Sequence, residues 1–98
     1  MSVPWFCYML RCSDGALYVG AAKDLAVRLK RHNAGLGAKF TAKRLPVEMI
    51  WWQHFDSEKE ARGREAQLKG WRREKKLALV ESFGDQVYPS AAKAAASG

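Results

Sequence analysis

Five side chains in this 98-residue sequence form a set with phosphate chemistry in it: Tyr8, Tyr18, Arg28, His32 and Glu65. Cutting a phosphodiester makes two demands on residue type. Charge on the phosphoryl oxygens must be neutralised, by Arg or by a divalent metal held on a carboxylate. A water must be oriented or deprotonated and a proton delivered to the departing oxygen, by His, Tyr or metal-bound water. Arg28 and Glu65 answer the first demand; Tyr8, Tyr18 and His32 answer the second. Glu65 could anchor Mg²⁺ (or Mn²⁺), since Mg²⁺ often takes one or two carboxylates and keeps most of its waters.

Each residue also has a plainer reading. Strand tyrosines are most often core or sheet surface. Arg28 could be a solvated helix charge, and His32 a half-buried histidine favoured by the dipole at a helix end. Glu65 could pair with Arg62 or Arg64 at the surface. Residue types alone therefore reach a phosphate-binding site that could be hydrolytic.

The elements that must position these groups can be read in order. Trp5–Cys12 is aromatic and apolar with few polar positions, which predicts a central strand. Ser13-Asp14-Gly15 is a turn, and Ala16–Gly20 returns antiparallel to complete a hairpin. Alternation puts Tyr8 on one face with Phe6 and Leu10, and Tyr18 on one face with Ala16 and Gly20. Register decides whether the two tyrosines share a side, because a one-residue slip reverses it. Asp24 is an N-cap for a helix to about Asn33, with Gly35 as its stop. On that helix Leu25, Leu29 and His32 form a stripe with Arg28 beside it. Gly35–Pro46 reads as a flexible basic loop, and Val47–Phe55 as a third strand. Ser57 and Glu60 form a capping box for a helix ending near Lys69. Its inward positions are Ala61 and Leu68, and Glu65 falls between them, unusual for a carboxylate because buried charge is costly without a partner. Trp71–Phe83 is a last helix, packing through Trp71, Leu77, Val80 and Phe83. The expected domain is 1–84, followed by a low-complexity, disordered tail at 85–98.

Totals narrow the partner. Lys and Arg number 17 against 10 Asp and Glu, a net charge of +7, which favours an anionic partner. Nucleic acid ranks ahead of a membrane surface, because no stretch joins strong basicity to a broad apolar face. With 48% hydrophobic and 28% charged residues, a packed single domain is expected. Cys7 and Cys12 stand on one extended stretch spanning roughly 16–18 Å, beyond the ~7 Å that a disulfide tolerates. Two unpaired cysteines suit a reducing cytoplasm. The apolar run Val3–Leu10 is too short to cross a bilayer and has no cleavage-site pattern.

Phe6-Cys7-Tyr8 followed by Tyr18-Val19-Gly20, then Arg28 and His32, resembles the GIY-YIG nuclease superfamily. YVGAAKDLAVRLKRH is similar to the matching segment of phage intron homing endonucleases. WFCYMLRC, GAKFT and REAQLKGWRREKK are similar to the small stand-alone bacterial members. The likeness covers roughly Trp5–Leu79, with Phe6 and Cys7 standing where the name motif has Gly and Ile. No counterpart of the family's C-terminal asparagine is evident. The resemblance implies a compact α/β (α+β) domain, a three-stranded antiparallel sheet flanked by helices, and Mg²⁺-dependent endonuclease chemistry. It implies Tyr8, Tyr18, Arg28 and His32 as catalytic residues, Gly20 as the motif glycine, and Glu65 as the metal ligand. Tyr8 is the expected water-activating tyrosine. Gly20, Lys39, Lys43, Arg44, Arg72 and Arg73 are the expected nucleic-acid contacts, holding backbone phosphates without reading sequence. DNA is favoured over RNA, with repair or recombination as the setting. The alternatives are a non-catalytic nucleic-acid-binding module and a nuclease subunit that needs a protein partner for targeting.

Overall fold

The structure, a computed structural model, describes residues 3–83; the expected tail at 85–98 lies outside the described residues. Strand β1 (Trp5–Arg11) pairs antiparallel with β2 (Leu17–Ala22) on one side and β3 (Glu48–Phe55) on the other, giving the order β2-β1-β3. The strand expected to be central from its scarcity of polar residues is central. Tyr8 sits opposite Gly20 and Leu10 opposite Tyr18. Directly paired residues share a face, so both tyrosines point to the same side. The hairpin turn carries Gly15 at φ 86°, a left-handed conformation that glycine adopts without strain. Asp14 Oδ1 closes the turn by accepting the Ala16 N–H at 3.0 Å.

Helix α1 (Leu25–Asn33) starts where Asp24 Oδ1 accepts the Val27 N–H at 3.0 Å, and the chain leaves it through Gly35 at φ 81°. The segment expected to be a flexible loop is instead structured. It folds into a short helix, α2 (Lys39–Ala42), whose Thr41 is fully buried. The carboxamide of Asn33 both donates to Val47 O (3.0 Å) and accepts from Val47 N (2.8 Å), tying the end of α1 to the entry of β3. Ser57 Oγ caps α3 (Glu58–Lys69) by accepting the Glu60 N–H at 3.2 Å and donates its hydroxyl to Glu60 Oε1 at 2.9 Å, a side-chain variant of the capping box expected from sequence. Helix α4 (Arg73–Ser82) follows. Among the described residues no helix is long and apolar enough to cross a membrane.

The sheet separates two cores. On one face Tyr8, Leu10, Ala22, Leu25, Val47 and Met49 cluster, with Tyr18 and Leu29 against them. On the other, Cys7, Met9, Val19, Trp51 and Leu68 cluster beneath Trp71, Leu79, Val80 and Phe83. Ala61 and Leu68 are fully buried as their spacing predicts, whereas Leu77 is 37% exposed and Leu79 packs in its stead. Both cysteines are free and buried.

Candidate active site

Tyr8 and His32 reach each other across the first core. The Tyr8 hydroxyl lies 2.8 Å from His32 Nε2, and His32 Nδ1 lies 2.8 Å from Thr41 Oγ1. The proton positions follow from counting donors. Thr41 has one hydroxyl proton, and it goes to the Ala38 carbonyl at 3.1 Å. Thr41 Oγ1 must then accept from His32, so Nδ1 carries the hydrogen; in the neutral ring that burial favours, Nε2 accepts from Tyr8. The chain Tyr8→His32→Thr41→Ala38 is thus directional and fixes a neutral imidazole in one tautomer.

Two glycines make room for it. A Cβ on Gly20 would stand 2.5 Å from the Tyr8 hydroxyl oxygen, and one on Gly37 would stand 2.3 Å from His32 Nδ1. Both distances are far inside contact, so both positions require glycine for close approach. Gly20 was expected among the nucleic-acid contacts. It is buried under Tyr8, and its local role is packing.

Burial sets the protonation states. It pushes the Tyr8 phenol well above its ordinary value of 10.0, with Tyr18 adding to the shift and the Arg28 guanidinium opposing it. It draws His32 down from 6.5 to about 4, and Arg28 acts in the same direction. Tyr8 therefore rests as a neutral hydroxyl, 2% exposed, aimed at histidine rather than at solvent. The expected water-activating tyrosine is thus placed with its hydroxyl on His32. Tyr18 is the less buried of the two tyrosines. Its half-buried ring lies 5.2 Å from His32 and 6.4 Å from Tyr8. It also lines a cleft of about 230 Å³ with Phe40, Lys69 and Lys76.

Glu65 arrives from the other face, on α3, which lies across β1 and β2. Its side chain is only 12% exposed, held by Lys69 at 3.0 Å and Arg62 at 3.3 Å. So it pairs with Arg62, as its plainer reading allowed, yet it does not point into bulk solvent. After burial, its charge is the largest influence on Cys7, whose thiol is pushed up to about 12, and it also raises Tyr8. Because β2 is an edge strand, groups from both faces can meet around it. Lys69 makes the link, bonding Glu65 and lining the Tyr18 cleft. Tyr8, Tyr18 and His32 converge closely; Arg28 is near enough for its charge to act on Tyr8 and His32, and Glu65 borders them from across the edge.

The donor set fits a hydrated divalent ion and not an all-protein cage. Among the described residues no three His, Cys, Asp or Glu side chains group as ligands, and a lone carboxylate suffices for Mg²⁺ shared with substrate phosphate.

The expected phosphate contacts divide. Lys39, Lys43 and Arg72 are exposed. Arg44 is committed elsewhere: to Asp14 at 3.1 Å, to the Phe40 carbonyl at 2.8 Å, and over the Phe40 ring at 4.0 Å. Arg73 donates to the Gly15 carbonyl at 2.7 Å, docking α4 onto the hairpin turn. Sequence reading missed Gly37, Thr41 and Lys69. Paired glycines at 35 and 37 and a Lys four residues after Glu65 were the available signals.

A fold and a site of this form belong to one class. Residues 4–78 match the GIY-YIG catalytic domain model, and the chain belongs to the GIY-YIG family. Within it the similarity is to small UPF0213 proteins. Those of Staphylococcus aureus strains Mu50 and N315 are each 43% identical over 76 residues, covering 78% of this chain and 93% of theirs. The solution NMR structure of the UPF0213 protein from Bacillus halodurans matches with a TM-score of 0.55 and 36% identity, over 84% of this chain and 87% of that one.

Proposed function

We propose that this protein is a Mg²⁺-dependent endonuclease that hydrolyses phosphodiester bonds, with DNA favoured over RNA. One observation carries the reading: Tyr8, Tyr18 and His32, from three separate elements, pack ring against ring about the buried Tyr8–His32 hydrogen bond, with the Arg28 and Glu65 charges near enough to act on Tyr8. A packed core does not need that assembly.

In this reading Arg28 takes the charge developing on the scissile phosphate. It sits within reach of Tyr8 and His32 and has no salt-bridge partner among the described residues, so its charge is available. Glu65 would hold the Mg²⁺, which supplies Lewis-acid stabilisation of the phosphoryl oxygens. Tyr18, at the cleft, orients the attacking water. Tyr8 and His32 form the rigid wall behind it, and the Thr41 bond keeps the imidazole from turning. Lys39, Lys43, Lys76 and Arg72 hold flanking phosphates without reading sequence. Two free, buried cysteines suit a reducing cytoplasm. Repair or recombination is the setting we favour.

Nicking of plasmid and branched DNA in Mg²⁺ tests this, with binding measured in parallel. Arg28→Ala and Glu65→Ala should each lose cleavage by about 10²–10³-fold while binding persists, the scale of removing one transition-state contact. Binding without cleavage in either Mg²⁺ or Mn²⁺ would mean a non-catalytic binding module. Cleavage indifferent to Glu65→Ala would remove the metal assignment.

A further inference from the structure

We propose that a second cleft, bounded by Arg28, is a nucleobase subsite, so that the substrate presents an unpaired base beside the scissile phosphate. The proposal rests on the nuclease reading for its phosphate; the base is its own content. The cleft holds about 280 Å³ where the start of β1, the end of β2 and the first turns of α1 come together. Its walls include Trp5, Val27, Lys23, Arg28 and Arg31. Arg28 therefore belongs to both places: its charge acts on His32 and Tyr8, and it bounds this cleft.

The lining is chosen for a flat, electron-rich ring next to an anion. Trp5 is half-buried, and among the described residues two distant cations lie over its ring, Lys23 at 5.8 Å and Arg62 at 5.4 Å from the centroid. Neither lies close over the ring: Lys23 is long and flexible, and Arg62 is held toward Glu58 and Glu65 at 3.3 Å. Val27 is 56% exposed, an apolar side chain on α1 that packs into neither core. The carboxylate in the cleft, Asp24, is already engaged as the helix cap on Val27 N. Aromatic surface bordered by guanidinium and ammonium groups is the pattern of sites that stack bases of single strands while tracking their phosphates. A base one nucleotide from a phosphate on Arg28 would fall here.

Phe40 is more exposed than Trp5, at 39%, but it is not free to do this. Tyr18 stacks on one face at 6.1 Å and Arg44 covers the ring at 4.0 Å. A paired base in a duplex interior hides both faces in the stack, so only an unpaired or frayed nucleotide can offer one to Trp5.

A short oligonucleotide with every adenine replaced by 2-aminopurine, whose fluorescence is quenched on stacking, reads the subsite directly. Titrations of the full chain in metal-free buffer avoid turnover. The single strand should quench on binding, and the same strand in a duplex should quench less. Trp5→Ala should abolish the quenching and weaken single-strand binding about tenfold, with Trp5→Phe retaining most of both. Val27→Glu, on a largely exposed side chain, should do the same without touching the sheet. Quenching unaffected by Trp5→Ala and by Val27→Glu, or equal losses on duplex and single strand, overturns the subsite alone. Failure to bind either form overturns the nuclease reading and the subsite with it.

Discussion

The two faces of the sheet solve opposite problems. Beneath α1 and α2 the core is polar at its centre. Tyr8, His32 and Thr41 are all nearly or fully buried, joined by hydrogen bonds of 2.8 Å and fitted against glycines that leave no spare volume. Beneath α3 and α4 the buried cluster is Cys7, Met9, Val19, Trp51 and Leu68, and polar interactions lie outside it. There Arg62 and Lys69 flank Glu65 with side chains 50% and 54% exposed. One face gains specificity from a buried network in which every donor has a partner; the other gains stability from apolar burial and tolerates change at its rim. The proposed chemistry stands where order is enforced, and the carboxylate proposed to hold metal stands where its counter-ions are half-exposed.

Acid should expose the contrast most strongly. His32 is neutral in the fold, with its pKa drawn from 6.5 to about 4, so between those values the unfolded chain binds a proton that the folded chain does not. Stability is then full above about pH 6.5 and falls as the pH drops toward 4, by roughly 3 kcal/mol at 1.36 kcal/mol per unit. Urea unfolding at a series of pH values checks it, and His32→Gln should flatten that limb. Arg28→Ala should raise the His32 pKa, since Arg28 helps lower it; NMR titration of the imidazole reads this.

Glycine substitutions separate the faces next. Gly37→Ala should destabilise by about 1–3 kcal/mol through overpacking against His32. Gly63→Ala on α3, where an added Cβ meets nothing within 4 Å, should stabilise by about 0.5–1 kcal/mol from helix propensity. Equal effects in denaturant melts would dissolve the distinction. Thr41→Val, nearly the same shape, leaves the buried Nδ1–H without an acceptor and should cost about 1–3 kcal/mol. Arg62→Ala should be the smallest, under about 1 kcal/mol, because half-exposed ion pairs contribute little. A larger cost there would show that the rim on α3 is structural.

Much of the framework was legible along the chain. Asp24 and Ser57 announce α1 and α3 because a cap acts within three residues of itself, and the low polarity of Trp5–Arg11 marks it as the central strand. The expected loop at Gly35–Pro46 concealed α2, since four residues show no helical period. Its Thr41 looked like one more polar loop residue. Glu65 stood out because a carboxylate between Ala61 and Leu68 breaks an apolar stripe. Its pairing with Lys69 was equally local and went unread.

By itself the sequence determined the elements, their caps and the residue types available for phosphate chemistry, because those depend on short-range backbone and side-chain geometry. Tertiary structure alone decided which tyrosine is the more buried. It also set the proton positions on His32, gave Gly37 and Thr41 a purpose, and brought Glu65 to the site around the β2 edge. Burial and hydrogen-bond partnership arise between residues as far apart as Tyr8 and His32, 24 positions in sequence, and no local pattern encodes them.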